Sequence, residues 1–179
     1  MESRRIVVAD EMWIESLGGP LVGSSNRVFR LWAGAQGRSF AVEDYSTDYD
    51  FACDVKEFIE KRTFLGEEIF VMGDEPLRTF FVRRNEHKIF LLRQIWSNVE
   101  FDEVKSYIVE YEADIEKKCL QNSINFIFPP GGICIFDSAL GGEGKYIEIE
   151  CEDKVSSVIY TYRIQEKRFD FIVHEVVLG

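Results

Sequence analysis

Asp48, Asp50 and Asp54, followed by the Asp74–Glu75 pair, are the side chains whose types and spacing come nearest to chemistry. Clustered carboxylates supply oxygen ligands for a hard cation such as Mg²⁺ or Ca²⁺. Two of them at a suitable separation also serve as acid and base in glycoside hydrolysis. Neither reading finds its full signature. A calcium loop of the type D-x-[DN]-x-[DN]-G is absent, and a chain of 179 residues leaves little room for a deep sugar cleft. Solvated surface carboxylates are the plainer expectation. Where they do more, contact with a basic partner surface is favoured over metal binding.

Other chemistry is thinner still. Nucleophilic catalysis needs a Ser or Cys beside a base and an orienting group. The two histidines, His87 in a charged turn and His174 between Val173 and Glu175, belong to no motif such as G-x-S-x-G. Gly141-Gly142-Glu143-Gly144-Lys145 resembles a phosphate loop only superficially, because Tyr146 stands where Ser or Thr should be and a strand follows. A flexible β-turn is the better reading. Cys53, Cys119, Cys134 and Cys151 form no C-x-x-C pair, and small buried hydrophobes, as in Ile133-Cys134-Ile135, are expected rather than a zinc site.

The charge balance narrows the partners. Asp and Glu number 32 against 21 Lys and Arg, for a formal net charge of -11. Nucleic acids and anionic membranes bind proteins through Lys and Arg, so both are disfavoured. A basic partner is favoured, since a complementary field speeds encounter, although such a charge also serves solubility alone. Met1 to Arg5 run into only Ile6–Ala9 before Asp10, too short for the apolar core of an export signal. No apolar run approaches the roughly 20 residues of a membrane span. A cytoplasmic protein is expected.

The elements that must position these residues are mostly strands. Met12–Glu15 reads as a strand, Ser16-Leu17-Gly18-Gly19-Pro20 as a turn, and Leu21–Gly23 as the chain's return. Residues 27–33 suit a short helix or irregular turn closed by Gly34. Phe51–Val55 and Glu67–Met72 read as strands, the second stopped by Gly73-Asp74-Glu75-Pro76; Leu77–Val82 and Lys88–Ile95 read as a hairpin. Apolar residues at 104, 107, 108, 111, 115 and 119 predict an amphipathic helix over 102–120, ended by Asn122 and Ser123. Strands are predicted again at Ile124–Phe128 and Ile133–Asp137, and Tyr146–Cys151, Ser156–Ile164 and Phe169–Val177 read as a meander. Trp13, Trp32 and Trp96 are candidates for interface hot spots or core anchors, with at least two of them expected in the core.

Three stretches, taken in order, carry a resemblance. Trp13-Ile14-Glu15-Ser16-Leu17-Gly18-Gly19-Pro20-Leu21-Val22 with Trp32-Ala33-Gly34 resembles the opening of the bacterial immunity protein 21 family. Asp48 to Val55 followed by Val71-Met72-Gly73-Asp74-Glu75-Pro76-Leu77 is similar to that family's middle. Phe136-Asp137-Ser138-Ala139 with the glycine loop behind it looks like its later motif. The resemblance runs from about Met12 to Gly144; Lys56–Gly66, the charged helix, the first ten residues and the final meander contribute no motif to it. The resemblance implies an antidote of a polymorphic toxin system, which occupies a protein toxin in the producing cell. Many such toxins are nucleases with basic clefts.

The expectation is therefore a single α+β domain over residues 1–179, a largely antiparallel β-sheet with one main amphipathic helix packed on a face. No catalytic residue, metal or cofactor is assigned. Asp48, Asp50, Asp54, Asp74 and Glu75 are expected to contribute to an acidic binding face. Gly18, Gly19, Pro20, Gly73 and Pro76 are expected to fix turns, and Asp137 and Ser138 to cap the loop that follows them. The competing readings are a small metal-assisted hydrolase using the same carboxylates and a generic protein-binding module.

Overall fold

The computed structural model describes residues 13–39, 43–73, 77–110, 120–142 and 144–179. Among them are eleven strands and three short helices, so the α+β expectation holds in its broad form. One six-stranded antiparallel sheet contains β1 (Trp13–Ile14), β5 (Arg78–Arg83), β6 (Lys88–Ser97), β11 (Phe169–Leu178), β10 (Val155–Gln165) and β7 (Leu120–Phe128), in that spatial order. A five-stranded antiparallel sheet runs β3 (Glu60–Phe64), β4 (Glu67–Met72), β2 (Leu21–Ser24), β8 (Ile133–Asp137) and β9 (Tyr146–Ile149). The sheets face each other, and they approach at both edges, β1 beside β9 and β7 beside β3.

Their facing surfaces make the central core. Phe70 and Met72 of β4, Ile133 and Ile135 of β8, Phe126 and Phe128 of β7, and Ile89 and Leu91 of β6 meet there, with the Phe70 ring edge-on to Phe126 at 5.1 Å. The outer faces are covered as well. On the five-stranded sheet, α1 (Asn26–Leu31) and α2 (Asp48–Cys53) bury Val28, Phe29, Phe51 and Ala52 against Val22, Ile69, Val71, Cys134 and Phe136. On the six-stranded sheet, α3 (Phe101–Glu110) buries Val104 and Ile108 against Phe90, Leu92, Tyr162, Phe171 and Val173. Burial on both faces explains why Ile69-Phe70-Val71-Met72 and Phe171-Ile172-Val173 read as continuous apolar runs instead of alternating ones.

Several expectations need correction. Three helices are described where one main helix was expected: α3 is described to Glu110 and residues 111–119 of the expected helix lie outside the described set, while Leu120, Asn122 and Ser123 sit inside β7, the last two opposite Thr161 and Tyr160. The strand expected over Phe51–Val55 is not formed: Phe51–Cys53 close α2, Asp54 is its C-cap and Val55 follows it. Thr47 Oγ1 accepts from the Asp50 amide at 3.0 Å, and Asp50 Oδ2 accepts from the Thr47 amide at 3.1 Å. This reciprocal cap nucleates a helix that apolar periodicity over five residues could not show. β1 and β2 do not pair with each other; Ser16–Pro20 carries the chain from one sheet to the other. β9 likewise pairs with β8 and leaves the meander, so Glu152–Lys154 crosses between sheets. A short turn does not distinguish a hairpin from an arch between two sheets. Of the three tryptophans only Trp32 is core, since Trp13 and Trp96 are 38% and 37% exposed. Cys134 and Cys151 are buried, as expected of small hydrophobes, but Cys53 is exposed.

His174 is fully buried on the central-core face of β11, where Nδ1 and Thr161 Oγ1 lie 2.9 Å apart. Burial, and then the Arg93 guanidinium, hold the imidazole well below its ordinary value near 6.5. The unfolded chain therefore takes up a proton near that pH which the folded chain refuses. Stability is complete above the unfolded value and falls as the pH drops below it, with a limiting slope of about 1.4 kcal/mol per pH unit. Urea titrations between about pH 7 and pH 5 should show a shallower loss for His174→Gln than for the native chain. Parallel curves would refute this assignment.

Candidate partner-binding face

The turn after β1, the Trp32–Gly34 turn, α2 and the end of β8 with the loop behind it come together at one end of the five-stranded sheet. Ser16 starts the first turn with its hydroxyl accepting from the Gly19 amide at 3.0 Å. Asp137, at the end of β8, reaches that turn: Oδ2 accepts from the Leu17 amide at 2.6 Å and Oδ1 from the Ala139 amide at 2.9 Å. The Ser138 amide donates to Pro20 O at 3.1 Å. Trp32 Nε1 donates to Ser138 O at 2.9 Å, and the Gly142 amide donates to Trp32 O at 3.0 Å. From α2, Asp48 Oδ2 accepts from the Ala33 amide at 2.7 Å, and the Tyr49 hydroxyl donates to Gly18 O at 2.8 Å. Three loops and a helix are thereby tied into one hub.

Two glycines are required by its closeness. Gly34 adopts φ +67°, and a Cβ there would also lie 2.7 Å from Ala139 O. At Gly19 a Cβ would lie 2.4 Å from the Tyr49 ring. Gly18, by contrast, has open space around it and contributes its carbonyl. Gly73 lies away from the hub's bonds: its amide donates to Phe58 O at 3.0 Å and its carbonyl accepts from Arg93 Nη1 at 2.5 Å. Asp74, Glu75 and Pro76 lie outside the described residues.

The aspartates of α2 and its C-terminal cap take three different roles. Asp48 is 2% exposed and faces inward to Ala33, which removes it from the outer surface. Asp50 is exposed and caps α2. Asp54 is half-exposed, accepting from Tyr45 Oη and Lys56 Nζ, each at 2.6 Å, with Arg62 Nη2 at 3.7 Å. The Lys56 bond foremost, then the Tyr45 hydroxyl, hold the Asp54 carboxyl below its ordinary value. Tyr49 is pushed the other way, first by a hydrogen bond with Cys53, then by burial and by the negative charge of Asp137 and Asp50. It stays a neutral donor to Gly18. Glu43, Asp44 and Glu57, which the sequence reading passed over, are exposed close by in the chain. Thr47-x-x-Asp50 was the signal available for the cap; nothing in local spacing marked Asp48 as buried. Among the described residues, no three His, Cys, Asp or Glu side chains gather as metal ligands.

Residues 12–167 match the family described as Immunity protein 21. The chain belongs to that family. No curated protein and no solved structure matches it. The immunity protein 21 match spans every member of the hub, from Ser16 through Gly142, together with both sheets as far as the end of β10. Membership makes the chain an immunity-type protein of a toxin system. Among the described residues no helix is long and apolar enough to cross a membrane.

Proposed function

We propose that this chain binds and neutralises a cognate protein toxin in the cytoplasm of the producing cell, acting by occupancy and not by turnover. Family membership carries the reading. The net charge of -11 supports a basic functional surface on the toxin, such as a nuclease cleft, as the part that is covered. The docking face comprises the exposed carboxylates Glu43, Asp44 and Asp50 with the half-exposed Asp54; Asp74 and Glu75, outside the described residues, are proposed as toxin contacts from the sequence alone. Asp48 serves this face from beneath by holding α2 to the Trp32–Ala33 turn.

Co-expression with the toxin encoded beside its gene tests the proposal. Growth should be rescued and the two proteins should co-purify; rescue without physical association would overturn it. Reversing Glu43 and Asp44 to Lys, or Asp74 and Glu75 to Lys, should slow association roughly tenfold at low ionic strength, with the difference shrinking as salt is added. On-rates unchanged in both double variants would dispose of the acidic face.

A further inference from the structure

One surface feature runs against the charge of the whole. Trp13 is 38% exposed on β1, at the edge of the six-stranded sheet. Two cations are held against its ring: the Arg78 guanidinium at 4.4 Å from the centroid and the Lys145 ammonium at 4.2 Å. They come from separate parts of the chain, Arg78 from β5 and Lys145 from the end of the glycine loop. Both are exposed, and among the described residues neither forms an ion pair with a carboxylate. In a chain with 32 acidic side chains that is unexpected. The support beneath is rigid, because Phe80 lies opposite Trp13 in the sheet and stacks on Phe101 of α3 at 3.9 Å.

We infer that Trp13, Arg78 and Lys145 form a second docking point, which receives a carboxylate-bearing segment of the toxin. The inference rests on the proposed function and extends it. An indole supplies apolar contact area at small entropic cost, and Trp and Arg are the residue types that most often anchor interfaces. Two N–H-bearing cations with no carboxylate partner among the described residues are complementary to an acidic segment and repel a basic one. The acidic face sets the rate of encounter, and this point fixes orientation.

The test turns on a sign. Arg78→Gln with Lys145→Gln makes the protein two charges more negative, which on net charge alone would strengthen attraction to a basic toxin. Local recognition of carboxylates requires the reverse. Calorimetric titration of the full chain with the toxin encoded beside its gene, in catalytically inactivated form, should give a Kd weakened roughly tenfold or more for the double variant and for Trp13→Ala. Thermal unfolding of the free double variant should match the native protein, since Arg78 and Lys145 are exposed; Trp13→Ala, whose indole is more than half buried, should unfold at a lower temperature but remain folded under the titration conditions. Native-like or tighter binding by the double variant overturns the inference and leaves the proposed function standing. Absence of binding by the native chain overturns both.

Discussion

Replacing Trp32 by alanine is expected to cost about 4 kcal/mol of folding stability, among the largest losses available to a single substitution here. The side chain is 2% exposed, with its ring 4.7 Å from Phe64 and 5.6 Å, edge-on, from Phe136. Removing it leaves a void between α1 and the five-stranded sheet that aromatic neighbours cannot close without leaving their rotamers. It also strips Ser138 O of the 2.9 Å indole donor. Trp32→Phe separates these two parts, because a phenyl ring retains most of the packing while losing the hydrogen bond. Its cost should be nearer 1–2 kcal/mol. Urea midpoints with unchanged slopes would report both values. Equal losses for the two variants would mean that the hydrogen bond, and not the packing, dominates at this position.

That position also shows what could be read from the residues alone. Strands with a strong β-branched and aromatic character, such as Glu67–Met72 and Ile133–Asp137, are where the sequence placed them. Their pairing was not legible, because burial on both faces erases the alternation that would tell an outer face from an inner one. β3 was missed for the opposite reason: Glu60, Lys61 and Arg62 fill a short edge strand, and only Phe64 is buried. At the far end of the helix predicted over 102–120, Leu120 begins β7 instead, through long-range pairing with Tyr162 that apolar spacing does not reveal. In the hub the residues were recognisable by type and order. Their partners were not, since Asp137 and Leu17 lie 120 positions apart and no local rule joins them. Asp48 shows the same limit. A carboxylate two positions from an exposed one reads as its neighbour on a surface, yet a helical turn of about 100° per residue sends it inward to the Ala33 amide.

Asp137→Ala is expected to cost about 3 kcal/mol, through a different route from Trp32→Ala. The carboxylate is 1% exposed, and its two oxygens satisfy two backbone amides that have no other role in either sheet, those of Leu17 and Ala139. Hydrogen bonds to an ionised acceptor contribute about 1.5–3 kcal/mol each, and their loss leaves both donors with poorer partners. Asp137→Asn discriminates this account from simple packing. Asparagine matches the shape, but its NH₂ group must face one of the two N–H donors, so about half the alanine loss or more should persist. Faster amide exchange at Leu17 and Ala139, with the strands of the six-stranded sheet still protected, would place the damage in the hub and not in the global fold. The functional consequence follows from the Tyr49 hydroxyl on Gly18 O, because the turn that Asp137 holds is the turn on which α2 rests. A loosened turn should weaken toxin neutralisation in Asp137→Ala cells at temperatures where the protein remains folded. Full neutralisation with confirmed local exchange would show that the acidic face does not need the hub beneath it.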